Sequence, residues 1–128
     1  MSYFISKKIE AKDFDSAITK TTEALKSEGF GVLTTIDMKS TLKAKVDADI
    51  EPYTILGACN PKFASQALQK EENIGVFLPC NVVVKQKGDA FEVVAVDPIA
   101  SMTAVPNQEL LTFAAEVKSM LLRAVEKL

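Results

Sequence analysis

The stretch from Val82 to Asp97 constrains this chain more than any other. Val82, Val83 and Val84 form a β-branched run, and Phe91 to Asp97 forms a second. Between them stands Lys87-Gly88-Asp89, where glycine accepts positive φ and aspartate folds its side chain onto nearby amides. Two extended runs joined so tightly must lie antiparallel. Any sheet the chain builds therefore contains an antiparallel hairpin.

The rest of the chain supplies elements to pack around that hairpin. Tyr3 to Ile9 alternates and predicts a strand. Asp13 is a helix cap, followed by Phe14, Ile18, Thr21 and Leu25 on one helical stripe, with Gly29 at the exit. Phe30 to Ile36 predicts a second strand. Asp37 then caps a helix with Leu42 and Val46 as its expected buried points. Tyr53 to Cys59 is the next strand, and Asn60-Pro61 starts a helix that reaches to about residue 72. Pro79 marks a strand start, an edge or a bulge. Asp97-Pro98 ends the hairpin, and a flexible segment is expected through Pro106. Asn107 caps a last helix with Leu110, Ala114, Val117, Leu121 and Val125 on one stripe. Short strands and the closing hairpin favour an α+β, two-layer fold: a mostly antiparallel sheet with helices packed on one face.

Composition narrows the function classes. The chain has 128 residues, 48% hydrophobic and 25% charged, which is the size and balance of an ordinary globular protein, so residues 1–128 are read as a single domain. Its 15 basic and 17 acidic residues interleave to a net charge of −2, leaving no basic face for phosphates, so nucleic acid is not expected as a partner. No apolar run approaches the ~20 residues that a bilayer span needs. The N-terminal segment is too short and wrongly ordered for a signal peptide, which points to the cytoplasm. Thiols are reduced there, so Cys59 and Cys80 are not read as a structural disulfide. Histidine is absent, which removes Ser-His and Cys-His nucleophiles and any His-ligated zinc.

Two Cys-Asn dipeptides stand out, Cys59-Asn60 and Cys80-Asn81. Cys59 lies where a strand runs into a helix, and a thiol at a helix N-terminus can have its pKa lowered. Cys80 lies at a strand start just after Pro79. If those strands are neighbours, both sulfurs meet at one end of the sheet. They would then serve as a redox pair or a two-thiolate site for a soft metal ion, or simply pack as small hydrophobes. Asn60 has a plain role as helix cap. Asn81 opens a valine-rich strand, where its amide needs a partner, either a ligand or a neighbouring loop. Asp37 and Asp97 both follow strand ends, as cap and turn former or as an acid–base pair. Tyr53 offers a hydroxyl at a sheet edge or packs in the core. Gly29, Gly31 and Gly57 are too scattered for a phosphate loop.

Phe30-Gly-Val-Leu-Thr-Thr-Ile-Asp37, Tyr53-Thr-Ile-Leu-Gly-Ala-Cys-Asn-Pro61 and Ile74-Gly-Val-Phe-Leu-Pro-Cys-Asn-Val-Val-Val84 together resemble the signatures of the domain of unknown function 302 family. Asp97-Pro98 and the closing amphipathic helix fit as well, so the likeness covers nearly the whole chain. The resemblance implies a strongly curved antiparallel sheet similar to the TATA-binding-protein-like class, and a homodimer. It does not imply a reaction, it leaves any cofactor unknown, and it carries Cys59, Asn60, Cys80 and Asn81 over without a role.

Three readings follow. The first is a dimeric, non-enzymatic or accessory binding module, with a pocket for a small molecule formed by the two Cys-Asn segments, together with Asp37 and Tyr53. The second is a thiol-based redox or soft-metal-binding protein. The third is a structural interaction domain using a second stripe of the last helix at Leu111 and Leu122.

Overall fold

The computed structural model describes residues 2–128. Five strands form one antiparallel sheet in the order β1-β5-β4-β3-β2. They are β1 (Phe4–Ile9), β2 (Gly31–Asp37), β3 (Tyr53–Cys59), β4 (Cys80–Lys87) and β5 (Ala90–Val96). The expected hairpin is β4–β5, with Lys87 opposite Ala90 and Gly88 at φ +60° in the turn. The helices are α1 (Phe14–Ser27), α2 (Met38–Val46), α3 (Pro61–Lys70), α4 (Pro98–Met102) and α5 (Gln108–Glu126), with a 3₁₀ turn over Glu72–Phe77.

Alternation along the strands sorts their side chains onto two faces. Leu56, Ala58, Val82, Val84, Val93 and Ala95 share one face and are at most 1% exposed. They pack in one cluster with Ala17 and Leu25 of α1 and Leu121, Ala124 and Val125 of α5, so these two helices are the second layer. Each large side chain buried this way contributes about 1.5–3 kcal/mol. Lys7 also lies on the helix side, and its ammonium reaches the Glu126 and Leu128 carbonyls at the end of α5, where the helix dipole favours a cation. A smaller cluster of Ala67, Ile74 and Leu110, joined by Leu78, Met102, Val105 and Phe113, lies beside the main core.

Three sequence expectations need correction. Helix α2 has the predicted Asp37 cap but no buried residue, and Val46 is 68% exposed. It does not join the α1–α5 layer. Its Met38 and Leu42 lie beside Tyr53 and Ile55 instead. The helix from Asn60 stops at Lys70, because Glu71 turns extended and Ile74 folds into the small cluster; Leu68 of its expected stripe is 45% exposed. The segment expected to be flexible contains α4: Asp97 Oδ1 accepts the Ile99 and Ala100 amides at 2.9 and 3.4 Å, with Pro98 at the first helical position.

Candidate functional site

The end of the sheet where β3 leaves and β4 enters meets α3, α4 and α5 at a cavity of about 60 Å³. It lies at the seam of the two clusters: Phe30, Ala58 and Cys80 belong to the main core, Ala67, Leu110 and Phe113 to the smaller one. The volume exceeds what one water needs, and the walls are almost wholly hydrocarbon and sulfur.

Cys59, Asn60 and Cys80 all border this cavity. Ala58 stands directly opposite Cys80 in the β3–β4 ladder, and Cys59 faces Gly31 on the other side of β3. Both cysteines are free. The cysteine pair expected from sequence is not formed: the two thiols border one hollow without being near partners of each other. Their acidity also departs from expectation. Burial pushes the Cys59 thiol up, although Asn60 starts a helix beside it. Burial pushes Cys80 up to about 11, with the charge of Cys59 adding to the effect. Desolvation therefore outweighs the helix N-terminus, and neither sulfur is poised as a thiolate. Among the described residues, no three His, Cys, Asp or Glu side chains converge as metal ligands would.

Asn60 carries the polarity of the site. Its Oδ1 accepts the Phe63 amide at a long 3.4 Å, capping α3, while its Nδ2 lies 3.8 Å from the Met120 sulfur. A thioether is a weak acceptor, so this N–H has most of its bonding capacity still to give. Gly29 makes room for the amide. It has φ +86°, and a β-carbon there would come 3.1 Å from Asn60 Nδ2. Gly57 lies outside the cavity lining, in the row of Asn81, and makes room there for Thr34 and Pro79: a β-carbon on it would meet Thr34 Oγ1 and would lie 2.8 Å from Pro79 Cγ.

The other sequence candidates lie elsewhere. Asn81 stands opposite Gly57 on the sheet face that carries no helix layer and is exposed. Tyr53 shares that face, near Lys85 and Val83. Asp37 caps α2, accepting the Ser40 amide at 3.0 Å and its hydroxyl at 2.8 Å, which hold its carboxyl below the usual range. Asp97 caps α4 and meets Lys118 Nζ at 2.9 Å. Burial pushes the Asp97 carboxyl up, but Lys118 and the two cap amides outweigh it and hold it low. Asp37 ends β2 level with Thr54, Val84 and Val93, whereas Asp97 lies past the opposite end of β5, so the two acids cannot work as a pair. The sequence reading missed Met102 and Phe113, which wall the cavity. Phe113 falls beside the main stripe of α5, a position that periodicity marks as flanking.

The family model for domain of unknown function DUF302 matches residues 5–128. Among solved structures, the crystal structure of an uncharacterized conserved DUF302 protein from Bacillus stearothermophilus is 27% identical to this chain. It superposes with a TM-score of 0.91, with 98% of each chain covered. No curated protein matches the chain.

Proposed function

The chain belongs to the DUF302 family, and from the hollow that its fold builds we propose that it is a non-enzymatic or accessory binding module for a small molecule. The observation that carries this reading is an apolar cavity of about 60 Å³ with Asn60 as the polar side chain in its lining. Apolar walls with a single oriented polar group are the composition of a ligand site. The volume suits a group of several carbon atoms and is too small for a nucleotide or a flavin. The ligand is therefore a compact or chain-end apolar group bearing one acceptor, such as a carbonyl, set against Asn60. Cys59 and Cys80 serve as protonated, polarizable wall atoms. This reading keeps the protein in the cytoplasm, where its thiols stay reduced, and in the described residues no helix is long and apolar enough to cross a membrane.

Methyl-detected NMR titration with short aliphatic and aromatic carbonyl compounds tests it. Saturable shifts of the Ala64, Ala67, Leu110 and Val117 methyls are expected. Asn60→Ala should weaken carbonyl ligands by about fivefold, the worth of one neutral hydrogen bond, and leave their hydrocarbon analogues unchanged. A panel that moves none of these methyls would refute the reading.

A further inference from the structure

Strand β1 is an edge of the sheet, with β5 on one side and no strand on the other. Its pairing with β5 runs from Phe4 to Ile9 without a break, whereas the other edge, β2, carries a register shift between Val32 and Thr34. In an antiparallel ladder the backbone groups of alternate residues turn toward the neighbouring strand, and those of the residues between turn away. The Asp97 amide donates to the Tyr3 carbonyl at 2.8 Å, which fixes the phase. Ile5, Lys7 and Ile9 therefore bond to β5, while Phe4, Ser6 and Lys8 turn their N–H and C=O groups outward. The Ser2 hydroxyl occupies both groups of Phe4, donating to its carbonyl at 3.0 Å and accepting its amide at 3.4 Å. Ser6 and Lys8 are exposed, and among the described residues no hydrogen bond uses their outward groups. We propose that an extended, acidic segment of a partner protein adds here as a sixth strand.

Two observations select that occupant. The first is the backbone. Alternating donors and acceptors at strand spacing are matched by another extended backbone, which offers the same groups in the same repeat. The second is a row of charge. On the sheet face turned away from α1 and α5, Lys85 of β4, Glu92 of β5 and Lys8 of β1 stand side by side. Lys85 Nζ meets Glu92 Oε1 at 3.2 Å, and among the described residues no carboxylate pairs with Lys8. The sign alternates across three strands, so a sixth strand completes the row with a carboxylate opposite Lys8. The row of Val96 and Phe4 calls for an apolar side chain in the same way, since Phe4 is 38% exposed at the edge. Ser6, between them, takes a small or hydroxyl side chain. An antiparallel partner therefore reads, from its N-terminus, acidic, small and apolar at every second residue. Main-chain bonds supply the affinity and these alternate side chains the selection. A second β1 is a poor occupant. Setting Ser6 opposite Lys8 places Lys7 against Lys7, and setting Lys8 opposite Lys8 again brings like charges together.

The proposal is independent of the cavity, which none of these residues lines. Amide NMR titration with the acetylated, amidated peptide Thr-Glu-Thr-Ser-Val-Phe-Thr tests it. Saturable shifts should centre on the Ser6 and Lys8 amides, and their hydrogen exchange should slow. The same peptide with lysine in place of glutamate should bind about tenfold more weakly, and Lys8→Glu should reverse that preference. Ser6→Pro removes one outward donor at an edge, where proline is tolerated, and should abolish binding with an unchanged far-ultraviolet spectrum. Ser6 and Lys8 amides that the acidic peptide leaves unmoved would overturn the proposal, and so would a folded Ser6→Pro variant that binds as the wild type does. Protection of both amides in the peptide-free protein would mean that a second copy already covers the edge, which would overturn it as well. If Ser6→Pro fails to fold, Lys8→Glu decides: an unreversed preference between the two peptides would overturn the proposal.

Discussion

The two faces of this sheet are made from the same strands and the same β-branched residues, yet they have opposite fates. Val82 and Val84 point at α1 and α5 and are wholly buried, while Val83 between them stays half-exposed. Strand sequence did not decide this difference. The helices did, because the α1 and α5 stripes can cover only one side. The covered face holds the fold together and leaves a hollow where its two clusters meet. The open face has kept an apolar middle that folding itself does not use.

Substitutions can break or sharpen that contrast. The largest effect concerns the thiol on the covered side. With Cys80 pushed from 9.0 to about 11, native Cys80 should alkylate about a hundredfold more slowly at pH 8 than an ordinary thiol. Mass spectrometry of iodoacetamide-treated native protein reads this directly, and an ordinary rate would mean that the cavity wall is wet. Next comes packing. Leu56→Ala, at 1% exposure, should cost about 2–5 kcal/mol in urea unfolding, while Val83→Ala on the open face should cost under about 1 kcal/mol. Equal losses would abolish the distinction between the faces.

A smaller effect lies at the end of β5. Asp97→Ala removes the α4 cap and the Lys118 partner and should cost about 1–2 kcal/mol. The carboxyl of Asp97 is held below its unfolded value, so its contribution is complete above the unfolded pKa of about 4 and fades as pH falls through the lower folded pKa. The gap between wild type and Asp97→Asn should therefore close in acid, as chemical denaturation at pH 7 and pH 3 would measure. The smallest effect is Asn60→Ala. Its capping bond is long at 3.4 Å, so about 0.5 kcal/mol of stability is at stake, and its larger consequence should be in ligand binding.

Much of this architecture was legible where local chemistry is unambiguous. The Gly88 turn, the Asn60-Pro61 start and the Asn107 cap each specify their element within a few residues. The same code was present at Asp97-Pro98 and stood for a helix there too, but α4 spans only five residues and lacks a stripe long enough to announce it. Helix α2 misled in the other direction: its cap is real, but of the expected buried stripe Val46 is exposed and Leu42 only half-buried, beside Tyr53 and Ile55. The site was half legible. Strand adjacency brings Cys59, Asn60 and Cys80 to one hollow, but the two-residue period sends Asn81 to the opposite face from Cys80. The thiol acidity could not be read from the chain, because desolvation depends on walls supplied by α4 and α5.

Xenon binding followed by methyl NMR tests the contrast between the faces most directly, since a dry apolar hollow takes up the gas and a flat surface does not. Saturable shifts confined to the methyls of Ala64, Ala67, Leu110 and Val117, with Val83 and Val94 unmoved, are the expected result. Cavity methyls that stay still, or open-face valines that respond equally, would contradict it.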